Sequence, residues 1–78
     1  MKNENETTMN LYIINEVLFD YTAGMAVIAA ESLDQCREFF FEEFGLSAVE
    51  EYDAHAKIKV IEGVNHSAGI VSFVYGGA

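Results

Sequence analysis

Hydrophobic positions along this chain switch between a two-residue and a helical spacing, and the switches mark its elements. Asn10–Phe19 is rich in β-branched, aromatic and aliphatic residues (Tyr12, Ile13, Ile14, Val17, Leu18, Phe19), which predicts a β-strand. Asp20-Tyr21-Thr22-Ala23-Gly24 predicts a hairpin loop, because Asp starts turns and Gly accepts a positive φ. Met25–Ala30 is apolar on both faces and predicts a central second strand. The spacing then becomes helical. Ser32 and Gln35 form an S-x-x-Q capping box, and Gly45 stands where a helix ends. At 100° per residue, Leu33, Cys36, Phe40 and Phe44 lie within about 80° of one another and predict the core face. Phe41 flanks that face. Phe39 points about 120° away from its centre, to the outer half.

Ser47-Ala48-Val49-Glu50 is a second box, which predicts a short helical turn to about Ala54, with an irregular loop as the alternative. Ile58 and Val60 alternate with Lys57 and Lys59, giving a third strand over Lys57–Glu62. After the turn-rich segment Gly63–Gly69, Ile70–Tyr75 gives a fourth strand. Residues 1–9 show no periodicity and are expected to form a flexible N-terminal tail. Residues 10–78 are expected to form a single α+β domain. Its expected order is ββαββ, a four-stranded antiparallel sheet made of two hairpins, with one helix packed on one face. A helix of about 12 residues is about 18 Å long, so it covers only one side of such a sheet. Strand one and strand four are apolar on both sides. The uncovered face or edge is therefore an expected surface for a homodimer or a partner, with cover by the N-terminal tail or the second turn as the alternative.

Composition narrows the function. The chain has 78 residues, one Cys and 51% hydrophobic residues, enough to fold as one small domain without an internal disulfide. No apolar run approaches the ~20 residues that span a bilayer, and Met1–Met9 has no apolar leader core, so a cytoplasmic protein is expected. Thirteen acids against four bases give a net charge of −9. That charge argues against direct nucleic-acid binding and against anionic membranes. Solubility alone is one reading of the acidity; a surface built for a basic partner is the other. Residues 32–53 carry −6 of the total, from Asp34, Glu38, Glu42, Glu43, Glu50, Glu51 and Asp53 against Arg37.

Catalytic chemistry is not expected. His55 and His66 have no partner at a metal-ligand spacing, and a weak Asp53/His55 pair is the nearest approach. Cys36 falls on the core face, which suits a small buried hydrophobe better than a nucleophile. No phosphate loop or G-x-S-x-G is present, and no cofactor or metal is expected. One constellation stands out. Asp34, Glu38 and Glu42 are spaced i, i+4, i+8, placing carboxylates about 6 Å apart along one helical stripe. With Phe39 as an aromatic anchor, and with Glu43, Glu50, Glu51 and Asp53 beside it, this stripe is the candidate partner-binding surface. An ordinary solvated acidic face, with Phe39 tucked under the next loop, is the alternative.

The hairpin turn (Asp20, Tyr21, Gly24), the "VIAAES" segment (Val27–Ser32) leading into an acidic helix, and the small acidic ββαββ order resemble small phage-encoded proteins of the anti-CRISPR kind. The resemblance covers most of residues 10–75 and is one of topology, size and charge. It implies an inhibitor that binds a host CRISPR effector, often where DNA or guide RNA would lie, and it implies no catalytic residue. The expected function is thus a small acidic protein-binding inhibitor occupying a basic surface of a host protein or nucleoprotein complex. The alternative is a non-catalytic structural or regulatory module that self-associates through its sheet.

Overall fold

The computed structural model describes residues 8–20 and 22–76. Six elements follow one another: β1 (Thr8–Asp20), β2 (Thr22–Ala30), α1 (Leu33–Phe44), α2 (Leu46–His55), β3 (Lys57–Asn65) and β4 (Gly69–Val74). The strands form one four-stranded sheet in the order β3-β1-β2-β4, and every neighbouring pair is antiparallel. The α+β class and the four-stranded antiparallel sheet are therefore as expected.

Four expectations need correction. The strand begins at Thr8, so the expected tail over residues 1–9 is too long; Met9 is 4% exposed. Residues 1–7 lie outside the described residues, as does Tyr21 of the expected turn. The expected loop over residues 20–24 is shorter, since Asp20 already pairs with Thr22. The expected short helical turn is a full ten-residue helix, α2, so the order is ββααββ rather than a strict ββαββ. Gly45 is its N-cap, and no side chain caps it, so the Ser47 box is not used. Finally, β3 and β4 are not a hairpin. They occupy opposite edges of the sheet.

That last arrangement has a geometric basis. β1 takes β3 on one side and β2 on the other, and β2 takes β4 on its far side. Residues 66–68 must therefore cross three strand spacings, about 14 Å. Four Cα steps reach about 14 Å only when nearly extended. The crossing runs along the end of the sheet where Thr8 pairs with Asn65 and Ala29 with Gly69.

The core lies on one sheet face. Tyr12 and Ile14 of β1 and Ala26, Ile28 and Ala30 of β2 meet Cys36 and Phe40 of α1 and Val49 and Tyr52 of α2. Cross-strand register continues this face outward to Ile58 and Val60 on β3 and to Ile70 and Phe73 on β4. The Phe40 ring packs 4.8 Å from Phe44 and 5.0 Å from Tyr52, joining the two helices above the sheet. α1 starts as expected. Ser32 Oγ accepts the Gln35 amide at 3.1 Å, and Gln35 Oε1 accepts the Glu31 amide at 2.7 Å. Such a cap contributes about 1 kcal/mol.

The strict two-residue period of β1 fails after Asn15. Its register with β2 shifts between Asn15 and Val17 and again between Val17 and Asp20. Glu16 and Leu18 take positive φ (66° and 53°), an uncommon conformation for residues with a Cβ. These bulges turn Val17 and Leu18, neighbours in sequence, both into the core. The far end of the hairpin is closed by the C-terminal segment. The Gly76 amide donates to the Leu18 carbonyl at 2.9 Å. A Cβ on Gly76 would stand 1.6 Å from the Thr22 carbonyl oxygen, so only glycine fits there.

Candidate interaction surfaces

The two helices carry most of the negative charge. From Leu33 to His55 there are seven carboxylates and one guanidinium, a net −6 of the chain's −9. Asp34, Glu38, Glu42, Glu43, Glu50 and Asp53 are exposed, and Glu51 is half-buried. The i, i+4, i+8 stripe of Asp34, Glu38 and Glu42 is thus a solvent-facing row on α1, opposite Cys36 and Phe40. Like charges at this spacing disfavour a helix by a few tenths of a kcal/mol per pair. The packed face of α1 offsets that cost.

Asp53 has a different role from the rest. Its carboxylate takes two hydrogen bonds from Arg37, one from Nε at 2.9 Å and one from an η nitrogen. The hydrogen bonds from Arg37 hold the Asp53 carboxyl below its ordinary value, and Asp53 in turn raises the guanidinium. Asp53 therefore clips α2 to α1, and its charge is already matched within the chain. The spacing of 16 residues gave no local signal for this pair.

Phe39 also differs from expectation. It is half-buried and packs against the core cluster, so it does not project among the carboxylates as an anchor. Leu33, expected in the core, is 50% exposed, and Phe41 is 48% exposed. The aromatic displayed beside Glu42 on α1 is Phe41. A wheel built on one stripe assumes that a helix meets the core along a single line. Here α1 contacts both the sheet and α2, and that rotates the buried arc.

Opposite the helices, the sheet has a second face. Register places Ile61, Leu11, Ala29 and Gly69 in one cross-strand row, Lys59, Ile13, Val27 and Ser72 in the next, and Lys57, Asn15, Met25 and Val74 in a third. These three rows hold both sheet lysines and no carboxylate. Charge is thus segregated across the sheet: acids on the helical layer, Lys57 and Lys59 on the helix-free side.

The remaining chemistry-bearing residues are dispersed. Cys36 is fully buried, and burial pushes its thiol up to about 11, while its Sγ lies 4.0 Å from the Tyr52 hydroxyl that donates to it. His55 packs its ring edge-on to Phe19 at 5.8 Å, and His66 Nδ1 lies 2.7 Å from the Ser67 carbonyl oxygen. Among the described residues, no group of three or more His, Cys, Asp or Glu side chains converges as a metal site would. No helix among them is long and apolar enough to cross a membrane. Comparison with protein-family models, with curated proteins and with solved structures found no match to this chain.

Proposed function

We propose that this chain is a non-catalytic binding protein whose acidic helical layer docks on a basic surface of a host protein or nucleoprotein complex. Nucleic acid would otherwise occupy that surface, so the chain acts as an inhibitor in the host cytoplasm. The observation supporting this reading is the charge segregation: a net −6 on the two helices, with Lys57 and Lys59 on the other side of the sheet. A charge used only for solubility gains nothing from being one-sided, whereas a one-sided field orients a molecule as it approaches a basic groove. The contacts in this reading are Asp34, Glu38, Glu42, Glu43, Glu50 and Glu51. Phe41 takes the place of Phe39 as the aromatic among them, and Asp53 serves through its clip to Arg37.

The sequence resemblance to anti-CRISPR proteins, which with the corrected element order rests on size and charge, supplies the target class to test. The test expresses the chain in cells carrying each of several CRISPR effector types and scores phage plaquing. Purified effector is then assayed for target-DNA retention with and without the chain. The expected result is restored plaquing against one effector type and loss of DNA retention that weakens as salt rises. Unimpaired immunity and DNA retention for every effector type would remove this target class.

A further inference from the structure

The two edges of the sheet are unlike. β3, at one edge, carries Lys57, Lys59 and Glu62, and Gly63 at φ 73° opens a bulge opposite Asn10. Charges and bulges are the usual devices that keep an edge strand from pairing with another chain. β4, at the other edge, lacks the charges. No Asp, Glu, Lys or Arg occurs from Gly63 to Ala78. β4 is bonded among the described residues only to β2, and Val71, Phe73, Val74 and Tyr75 are all exposed. A register shift at Val71 breaks the first half of the strand, which leaves Ser72–Val74 as the regular stretch, with Tyr75 directly after its end. That stretch is held in place at its end by the Gly76–Leu18 hydrogen bond. On its helix side, Phe73 and Tyr75 stand 5.0 and 6.2 Å from Phe44, a ring cluster still open to solvent on its outer side.

We propose that β4 is the pairing edge for a second copy of this chain. The copies meet about a two-fold axis normal to the sheet, β4 running antiparallel to β4, giving one eight-stranded sheet. Charge selects this occupant. A basic strand would find no carboxylate on this edge, whereas β4 itself is neutral, matches its own length and brings Phe73, with Tyr75 just beyond the strand end, against the ring cluster of its partner. Such a two-fold keeps both helical layers on the same side of the joined sheet. Both copies carry −6 there, so their mutual repulsion opposes pairing and salt relieves it. Dimerisation should therefore strengthen with salt, the reverse of the acidic-layer binding proposed above. The two proposals can fail independently.

The experiment is sedimentation of the full chain from micromolar to submillimolar concentration at low and high salt, with three lysine variants. Val74→Lys and Tyr75→Lys place charges on opposite sides of the same edge. Ile61→Lys charges the helix-free face instead. Circular dichroism confirms that each variant is folded. The expected result is a concentration-dependent dimer that tightens with salt. Val74→Lys and Tyr75→Lys should each raise its dissociation constant about tenfold or more, and Ile61→Lys should leave it unchanged. A monomer throughout the range overturns the proposal. So does a dimer lost in Val74→Lys and Ile61→Lys but kept in Tyr75→Lys, which would place the contact on the helix-free face.

Discussion

Lys59 stands directly across from Ile13, on the sheet face that neither helix covers, while the next residue pair in the register, Val60 and Tyr12, faces the helices. One step of a β-strand thus separates the sheet's positive side from the side that bears the acidic layer. The consequences of this arrangement, and of the packing beneath it, can be measured.

Asp53 should make a small, pH-dependent contribution to stability. Its folded pKa is depressed by Arg37. The contribution is therefore fully present above the unfolded Asp value, about 3.9, and is lost as pH falls through the lower folded value. Asp53→Asn should melt slightly earlier than the native chain at neutral pH, and the gap should close in acid. A gap independent of pH would contradict the clip.

Phe40 is fully buried between Phe44 and Tyr52. Phe40→Ala should cost about 3–5 kcal/mol in urea melts. Phe39→Ala should cost clearly less, and Phe41→Ala, exposed on the same helix, should cost least. Equal losses at Phe40 and Phe41 would mean that the phase of α1 is wrong.

Gly76→Ala forces a Cβ against the Thr22 backbone, and Gly24→Ala forces one to 2.1 Å from the Val74 carbonyl oxygen. Both should loosen the end of β4 at a cost of about 1–3 kcal/mol. Hydrogen exchange checks this: amides of Phe73 and Val74 should lose protection while those of Ile28 keep it. Unchanged β4 protection in both variants would contradict the close approach.

Cys36 should resist thiol reagents in the folded chain at mildly alkaline pH, because burial raises its pKa to about 11 and shields the sulfur. Reaction should track unfolding across a urea series. Rapid labelling in native buffer would show that the α1–α2 seam opens.

Much of this was legible in the chain itself. The hairpin, the Ser32 cap, the burial of Cys36 and Phe40, and the alternation that sends Lys57 and Lys59 away from Ile58 all follow from period and capping chemistry. The misses have physical reasons. A link as short as residues 66–68 normally joins adjacent strands, and only the competing demand of β1 and β2 for outer neighbours sends β3 and β4 to opposite edges. Bulges at Glu16 and Leu18 break the period of β1 without a glycine to announce them. The acidic stripe was legible because i, i+4, i+8 is a local spacing. The clip between Arg37 and Asp53 was not, because it depends on how two helices meet. Phe39 and Phe41 exchanged roles for the same reason.

The central claim is that the helical carboxylates are a contact surface rather than a solubility device. Its most direct test is the kinetics of binding to whichever effector the plaquing assay singles out, at two salt concentrations, for the native chain and for Asp34→Gln/Glu38→Gln/Glu42→Gln. The triple variant relieves i, i+4 repulsion and should be at least as stable as the native chain. If the carboxylates are a contact, the variant should associate more slowly and with a flatter salt dependence, because charge acts mainly on the on-rate. Association at the native rate with the native salt dependence would contradict it.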